Sequence, residues 1–174
     1  KGIDKLKDLW YNKDKEKKGI DTMMKKAIIF DMDGTIADLY AAENWLPMLR
    51  EENSEPYRVA KPMYEMNELA ELLNLLKGEG WKIVVTSWSS KQASREYDKR
   101  VRSAKVAWLK KYNFPADEIH VVKYGKSKSE VTKDLGGFQI LVDDNAEVRA
   151  EWRNGATINA EHNIMEELSK LLGL

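Results

Sequence analysis

The stretch "AIIFDMDGTIAD", from Ala27 to Asp38, decides how this chain is read. Three of its first four residues are strongly apolar, and they are followed at once by Asp31 and Asp33, then Gly34 and Thr35. Side chains alternate along a strand, so Asp31 and Asp33 are expected to face one crevice while Met32 points away. Two like charges about 4 Å apart repel by roughly 4 kcal/mol at an effective dielectric near 20, so a cation is expected beside them. Gly34 allows the chain to leave the strand tightly and lets its backbone approach a ligand closely.

Outward from this stretch the pattern alternates. Strand-like runs are read at 27–31, 81–86 ("WKIVVT"), 118–123 ("EIHVVK"), 138–143 ("FQILVD") and 156–159. Between them, Met66, Leu69, Leu72, Leu73 and Leu76 share one helical face that stops at Gly78 and Gly80. Tyr97, Val101, Ala104, Trp108 and Tyr112 make a second stripe within 91–112. Shorter helices are expected at 129–135, 146–153 and 163–171. Strands alternating with helices imply βαβ units, hence an α/β domain with a parallel sheet between two helical layers. Residues 37–64 interrupt the pattern with three of the four prolines. That is too long for an ordinary strand-to-helix loop, so a small helical cap over the site is expected, with a decorative insertion as the plain alternative.

Bulk composition narrows the classes. The chain has 174 residues, enough for one domain that buries about two thirds of its unfolded surface. Lysine plus arginine equal aspartate plus glutamate at 29 each, so global charge points to neither nucleic acid nor membrane. There is no cysteine, which excludes disulfides and thiolate metal sites. No apolar run reaches the roughly 18 residues of a membrane span, and "MMKKAIIF" lacks a signal-peptide pattern, so a cytoplasmic setting is expected. Residues 1–23 are rich in Lys and Asp and are read as a charged extension, either appended or an accessory helix, ahead of a domain spanning 24–174.

Open α/β sheets bind ligands beyond the carboxyl ends of their strands. Those ends deliver Asp31 and Asp33, then Thr86 and Ser87, a lysine cluster (Lys123, Lys126, Lys128, Lys133), and finally Asp143 and Asp144. Carboxylates, hydroxyls and an ammonium in one crevice, without thiols, favour Mg²⁺ together with a phosphate.

"FDMDGT", followed in order by "VVTS", a lysine and "ILVDDN", resembles the haloacid dehalogenase superfamily of phosphohydrolases over nearly all of residues 25–174. The resemblance implies a Rossmann-like three-layer fold with strand order 5-4-1-2-3 and a small cap after the first strand. It implies that Asp31 is the nucleophile that forms an aspartyl-phosphate and that Asp33 is the acid/base. Thr86 would bind the phosphoryl group with Ser87 beside it. Asp144 would be the direct Mg²⁺ ligand and Asp143 a second or water-mediated one, with Asp31 and the Asp33 carbonyl completing the set. The family's lysine falls at or just before the helix that leads to the acidic strand, which favours Lys128, with Lys126 second.

Substrate is less legible. The run Lys91, Arg95, Lys99, Arg100, Arg102, Lys105, Lys110, Lys111 could guide a nucleic-acid end, or be a solvated helix face. The ending of Asp143, Asp144 and Trp152 is similar, more loosely, to polynucleotide phosphatases, whereas the short insertion is similar to compact deoxyribonucleotidases. A nucleotide or other small phosphorylated metabolite is therefore the expected substrate, polynucleotide ends the second choice, and a non-catalytic phosphate-binding module the third. "YGKSKS" is not a P-loop, because His120 stands where the first glycine would be required. His120 and His162 lack partners for catalysis. Glu147 suits a helix's first turn, where negative charge is favoured.

Overall fold

The structure is a computed structural model, and it describes residues 25–173 except residue 92. The charged extension assigned to residues 1–23 therefore lies outside the described residues.

Five strands form one parallel sheet: β1 (Lys26–Phe30), β4 (Trp81–Trp88), β5 (Glu118–Val122), β6 (Phe138–Asp143) and β7 (Gly155–Asn159), in the order β5-β4-β1-β6-β7. Counting only these five, the order reads 5-4-1-2-3 from the β7 edge, as the sequence led one to expect. β1 lies at the centre with Phe30 in register with Val85 on one side and Val142 on the other. A central parallel strand is covered on both faces, which is why it is a continuous apolar run. Ile28 and Phe30 enter the larger core cluster, while Ala27 and Ile29 enter a smaller one with Val84, Leu141, Val148 and Trp152.

The helices are α3 (Met66–Gly78), α4 (Arg95–Lys111), α5 (Lys128–Thr132), α6 (Ala146–Ala150) and α7 (Ile164–Ser169). α3 buries the five residues of its predicted stripe. α4 begins where the Ser94 side chain accepts a hydrogen bond from the Tyr97 amide, a cap that satisfies one orphan donor of the first turn. The predicted 129–135 and 163–171 helices are α5 and α7, each extended by a 3-10 turn. β4 runs two residues beyond the predicted 81–86, so Ser87 and Trp88 belong to the strand rather than to a loop.

The segment 37–64 folds into two short helices, α1 (Trp45–Arg50) and α2 (Glu55–Val59). Its two ends are closed by an antiparallel ribbon of β2 (Ala37–Asp38) and β3 (Lys61–Pro62). α2 is fastened to α4: Leu39 and Tyr57 pack with Tyr97, Val101 and Ala104. Around this joint, the Trp108 indole donates to the Ala60 carbonyl at 2.7 Å and the Tyr97 hydroxyl to the Asn53 carbonyl at 3.0 Å. α1, by contrast, has no fully buried residue. Among the described residues, no helix is long and apolar enough to cross a membrane.

Candidate active site

Asp31 stands one residue past β1, still paired to the sheet by its amide, which donates to the Val142 carbonyl at 2.9 Å. Continuing the register by one step places Thr86, Asp31 and Asp143 in a row across three adjacent strands. Alternation puts all three on the face that carries α5 and α6. The ammonium of Lys128, at the first position of α5, donates to Asp31 Oδ1 and to Asp143 Oδ2, each at 2.6 Å. Lys128 and Asp143 are almost completely buried. Burial pulls the Lys128 ammonium toward neutrality, but the adjoining Asp31 and Asp143 carboxylates outweigh it and lift its pKa above the ordinary lysine value.

Asp143 is held from both sides, because its Oδ1 accepts from the Asn145 amide at 2.9 Å. Asn145 in turn caps α6. Asp144 turns toward "DGT": its Oδ1 accepts from the Thr35 hydroxyl and its amide donates to the Thr35 Oγ1, both at 3.2 Å. Thr35, fully buried, thus ties the first motif to the last across 109 residues of chain. Sequence reasoning assigned Thr35 no role; the only signal was its position beside the carboxylate pair.

Gly34 is required here for two reasons. Its φ is +76°, and a Cβ would stand 2.6 Å from Asp144 Oδ2 and 2.7 Å from the Tyr40 ring. Any side chain would have to displace the Asp144 carboxylate or the Tyr40 ring. That cluster is compact: one carboxylate oxygen each from Asp31, Asp143 and Asp144 lie within 4.8 Å of one another. Three carboxylates against one ammonium leave two negative charges, and an all-oxygen set of this charge fits a hard divalent cation such as Mg²⁺. Burial, then the Asp31 and Asp143 charges, push the Asp144 carboxyl up to about 6.

The Asp33 carboxylate lies outside the three-carboxylate cluster and is paired with Lys105 of α4. Burial raises the Asp33 pKa, with Lys105 opposing and Asp31 reinforcing the shift. Lys105 is fully buried and also donates to Ser87 Oγ at 2.9 Å and to the Trp88 carbonyl at 2.7 Å. In the sequence it is one of eight cations in a run that suits a solvated or nucleic-acid-facing helix. It lies four residues after Val101 and beside Ala104, within the buried stripe, and that spacing was the overlooked signal. On the same helix, Lys99 pairs with Glu96, and Arg100 donates to the Glu52 carbonyl.

The other expected positions fall as follows. The Thr86 hydroxyl, in the row with Asp31, is buried and has no hydrogen-bond partner among the described residues. Ser87 points to the opposite face, toward Lys105. Lys126 has an exposed side chain, while its carbonyl accepts from the Trp88 indole at 2.8 Å. Thus the structure brings Lys128 to Asp31, and Lys126 serves the loop through its backbone. His120 pairs with Glu118 in β5, and His162 is exposed.

These groups open onto a cavity of about 480 Å³. Its floor includes Asp31, Asp33, Lys128, Asp143 and Asp144. Its walls include two aromatic pairs, Tyr40–Trp45 (ring centroids 5.1 Å apart) from the 37–64 segment and Trp88–Tyr124 (5.0 Å) from the sheet side. Arg50 and Lys91 also line it.

No protein-family model and no curated protein sequence matches this chain. Among solved structures, it is similar to the D,D-heptose 1,7-bisphosphate phosphatase from B. bronchiseptica complexed with magnesium and phosphate. That likeness has 11% identity and a TM-score of 0.47, covering 85% of this chain and 98% of the other. The D,D-heptose 1,7-bisphosphate phosphatase from Burkholderia thailandensis shows 11% identity and a TM-score of 0.44, covering 86% and 100%. With likeness this low, the residues of the site must carry the functional assignment.

Proposed function

We propose that this chain is a Mg²⁺-dependent phosphomonoester hydrolase of the haloacid dehalogenase type, working through an aspartyl-phosphate on Asp31. The supporting observation is the Lys128 ammonium seated between Asp31 and Asp143, next to Asp144, on the floor of a cleft that also holds Asp33. In the first step a carboxylate oxygen of Asp31 bonds to phosphorus as the ester P–O bond breaks, and Asp33 gives its proton to the departing oxygen. In the second, Asp33 takes a proton from water, the water oxygen bonds to phosphorus, and the Asp31–phosphorus bond breaks to release inorganic phosphate. Splitting one displacement into two lowers each barrier. Asp31, Asp143 and Asp144 would hold Mg²⁺, whose contribution is to neutralise charge on the phosphoryl oxygens. Lys128 and Thr86, whose hydroxyl has no hydrogen-bond partner among the described residues, would bind the same oxygens.

The pKa of Asp144 supplies a test that does not depend on turnover. Its folded value of about 6 lies above the ordinary 3.8, so the metal-free folded protein holds that proton more tightly than the unfolded chain does. The contribution of Asp144 to metal-free stability is therefore expected to fall as pH rises from about 4 through 6 and then to level off. Mg²⁺ competes with the proton, so the rise in melting temperature on adding Mg²⁺ should grow from pH 5 to pH 7. A Mg²⁺ effect independent of pH across that window would contradict the assignment of Asp144 as a ligand.

For the leaving group, the two aromatic pairs favour a planar ring, and nucleoside monophosphates are the proposed substrates. Stacking on aromatic side chains is worth about 1–3 kcal/mol per base. The expected result is a kcat/KM at least about tenfold higher for a nucleoside monophosphate than for ribose 5-phosphate, in line with that stacking energy. Equal values would leave a phosphatase without base preference. Faster turnover of a 3′-phosphorylated oligonucleotide than of any mononucleotide would replace this substrate class with polynucleotide ends.

A further inference from the structure

Lys105 is a buried ammonium that the proposed reaction does not use directly. Its three N–H donors have three acceptors: Asp33 Oδ2, Ser87 Oγ and the Trp88 carbonyl. An ammonium with all its hydrogens engaged is fixed in orientation, and it fixes in turn the oxygen it holds. Among the described residues no hydrogen bond reaches Asp33 Oδ1, and the Asp33 side chain keeps 18% exposure, on the cleft. One Asp33 oxygen is thereby tied to the scaffold and the other is left to address a substrate.

The same ammonium lies 4.9 Å from the ring centroid of Tyr57, on α2 of the inserted segment. Tyr57 is 3% exposed and packs with Tyr97, Val101 and Ala104 of α4, the helix that carries Lys105. Asp33, the end of β4 and the inserted segment therefore meet at one nitrogen.

We infer that Lys105 is a positioning residue: it holds Asp33 away from the carboxylate cluster, with Oδ1 presented to the leaving oxygen, and couples that placement to the seating of the inserted segment through Tyr57. The inference rests on the acid/base role proposed for Asp33. A proton delivered by Asp33 matters most when the departing oxygen is a poor leaving group, and little when it departs readily as an anion. Misplacing Asp33 therefore harms alkyl phosphates more than activated aryl phosphates, a difference that a general loss of structure does not produce.

The experiment compares wild type, Lys105→Met, Lys105→Arg and Tyr57→Leu on ribose 5-phosphate and 4-nitrophenyl phosphate in saturating Mg²⁺. For Lys105→Met, the ratio of kcat for ribose 5-phosphate to kcat for 4-nitrophenyl phosphate should fall at least tenfold. Lys105→Arg, which keeps a buried donor, should restore the ratio to within about threefold of wild type. Tyr57→Leu should move the ratio in the same direction by a smaller factor. Parallel losses on both substrates would make Lys105 a structural residue and overturn the inference. If Lys105→Met shows no cooperative melting, Lys105→Arg and Tyr57→Leu decide: an unchanged ratio in Tyr57→Leu, with Lys105→Arg losing equally on both substrates, also overturns it. Absence of turnover by the wild type on both substrates would instead sink the hydrolase reading itself.

Discussion

Asp31→Asn is expected to lower Mg²⁺-dependent phosphate release by at least about 1,000-fold, the scale on which loss of a covalent nucleophile is felt. An amide at this position cannot attack phosphorus as a carboxylate does, and nothing else in the cluster is placed to replace it. Asp143 is engaged by Lys128 and by the Asn145 amide, and Asp144 by Thr35. The same change removes one of three mutually repelling carboxylates, so metal-free thermal stability should be retained or raised. The combination of intact melting and lost turnover separates a chemical role from a structural one. Phosphate release by Asp31→Asn within tenfold of wild type would show that the nucleophile lies elsewhere.

Lys128→Met should have the second largest effect, and on two properties at once. Lys128 is 4% exposed and serves both Asp31 and Asp143 at 2.6 Å. Removing one partner of a buried ion pair leaves the others uncompensated, at a cost of about 3–5 kcal/mol in typical cases. Activity should fall by at least about 100-fold, since a charge fixed beside the reacting group is lost. A second variant distinguishes the two effects. Lys128→Met combined with Asp143→Asn removes one of the two carboxylates left without the ammonium, and it should regain part of the stability while staying inactive. Recovery of both properties would mean that Lys128 only neutralises Asp143. Lys126→Met, at the exposed position two residues away, should change stability by no more than about 0.5 kcal/mol, as surface substitutions usually do.

The architecture could be read in advance because its signals are local. β6 runs from Phe138 to Asp143 as the apolar run predicted, and the five buried residues of α3 are those of its stripe. Boundaries that depended on long-range pairing were less legible. β4 extends through Ser87 and Trp88 because β5 pairs with it to Val122, a partner 34 residues away that no local pattern discloses. The 37–64 segment was recognisable as an insertion by its length. That α2 is fastened to α4, while α1 buries no residue fully, required the packed structure.

The sequence by itself determined the chemical inventory and its order along the chain: two aspartates at one strand end, a hydroxyl at the next, a lysine before the fourth strand and an acidic pair after it. Strand-end position is a property of the local pattern, and a parallel sheet brings all such ends to one edge. Only the tertiary structure decided which residue meets which. It chose Lys128 for Asp31 and Asp143, assigned Thr35 to Asp144, and drew Lys105 out of an apparently solvated basic run to hold Asp33. The physical reason is that ion pairs and hydrogen bonds act over a few ångströms between residues separated by 15 to 109 positions. Linear order carries no such distance; burial and the register of the sheet do.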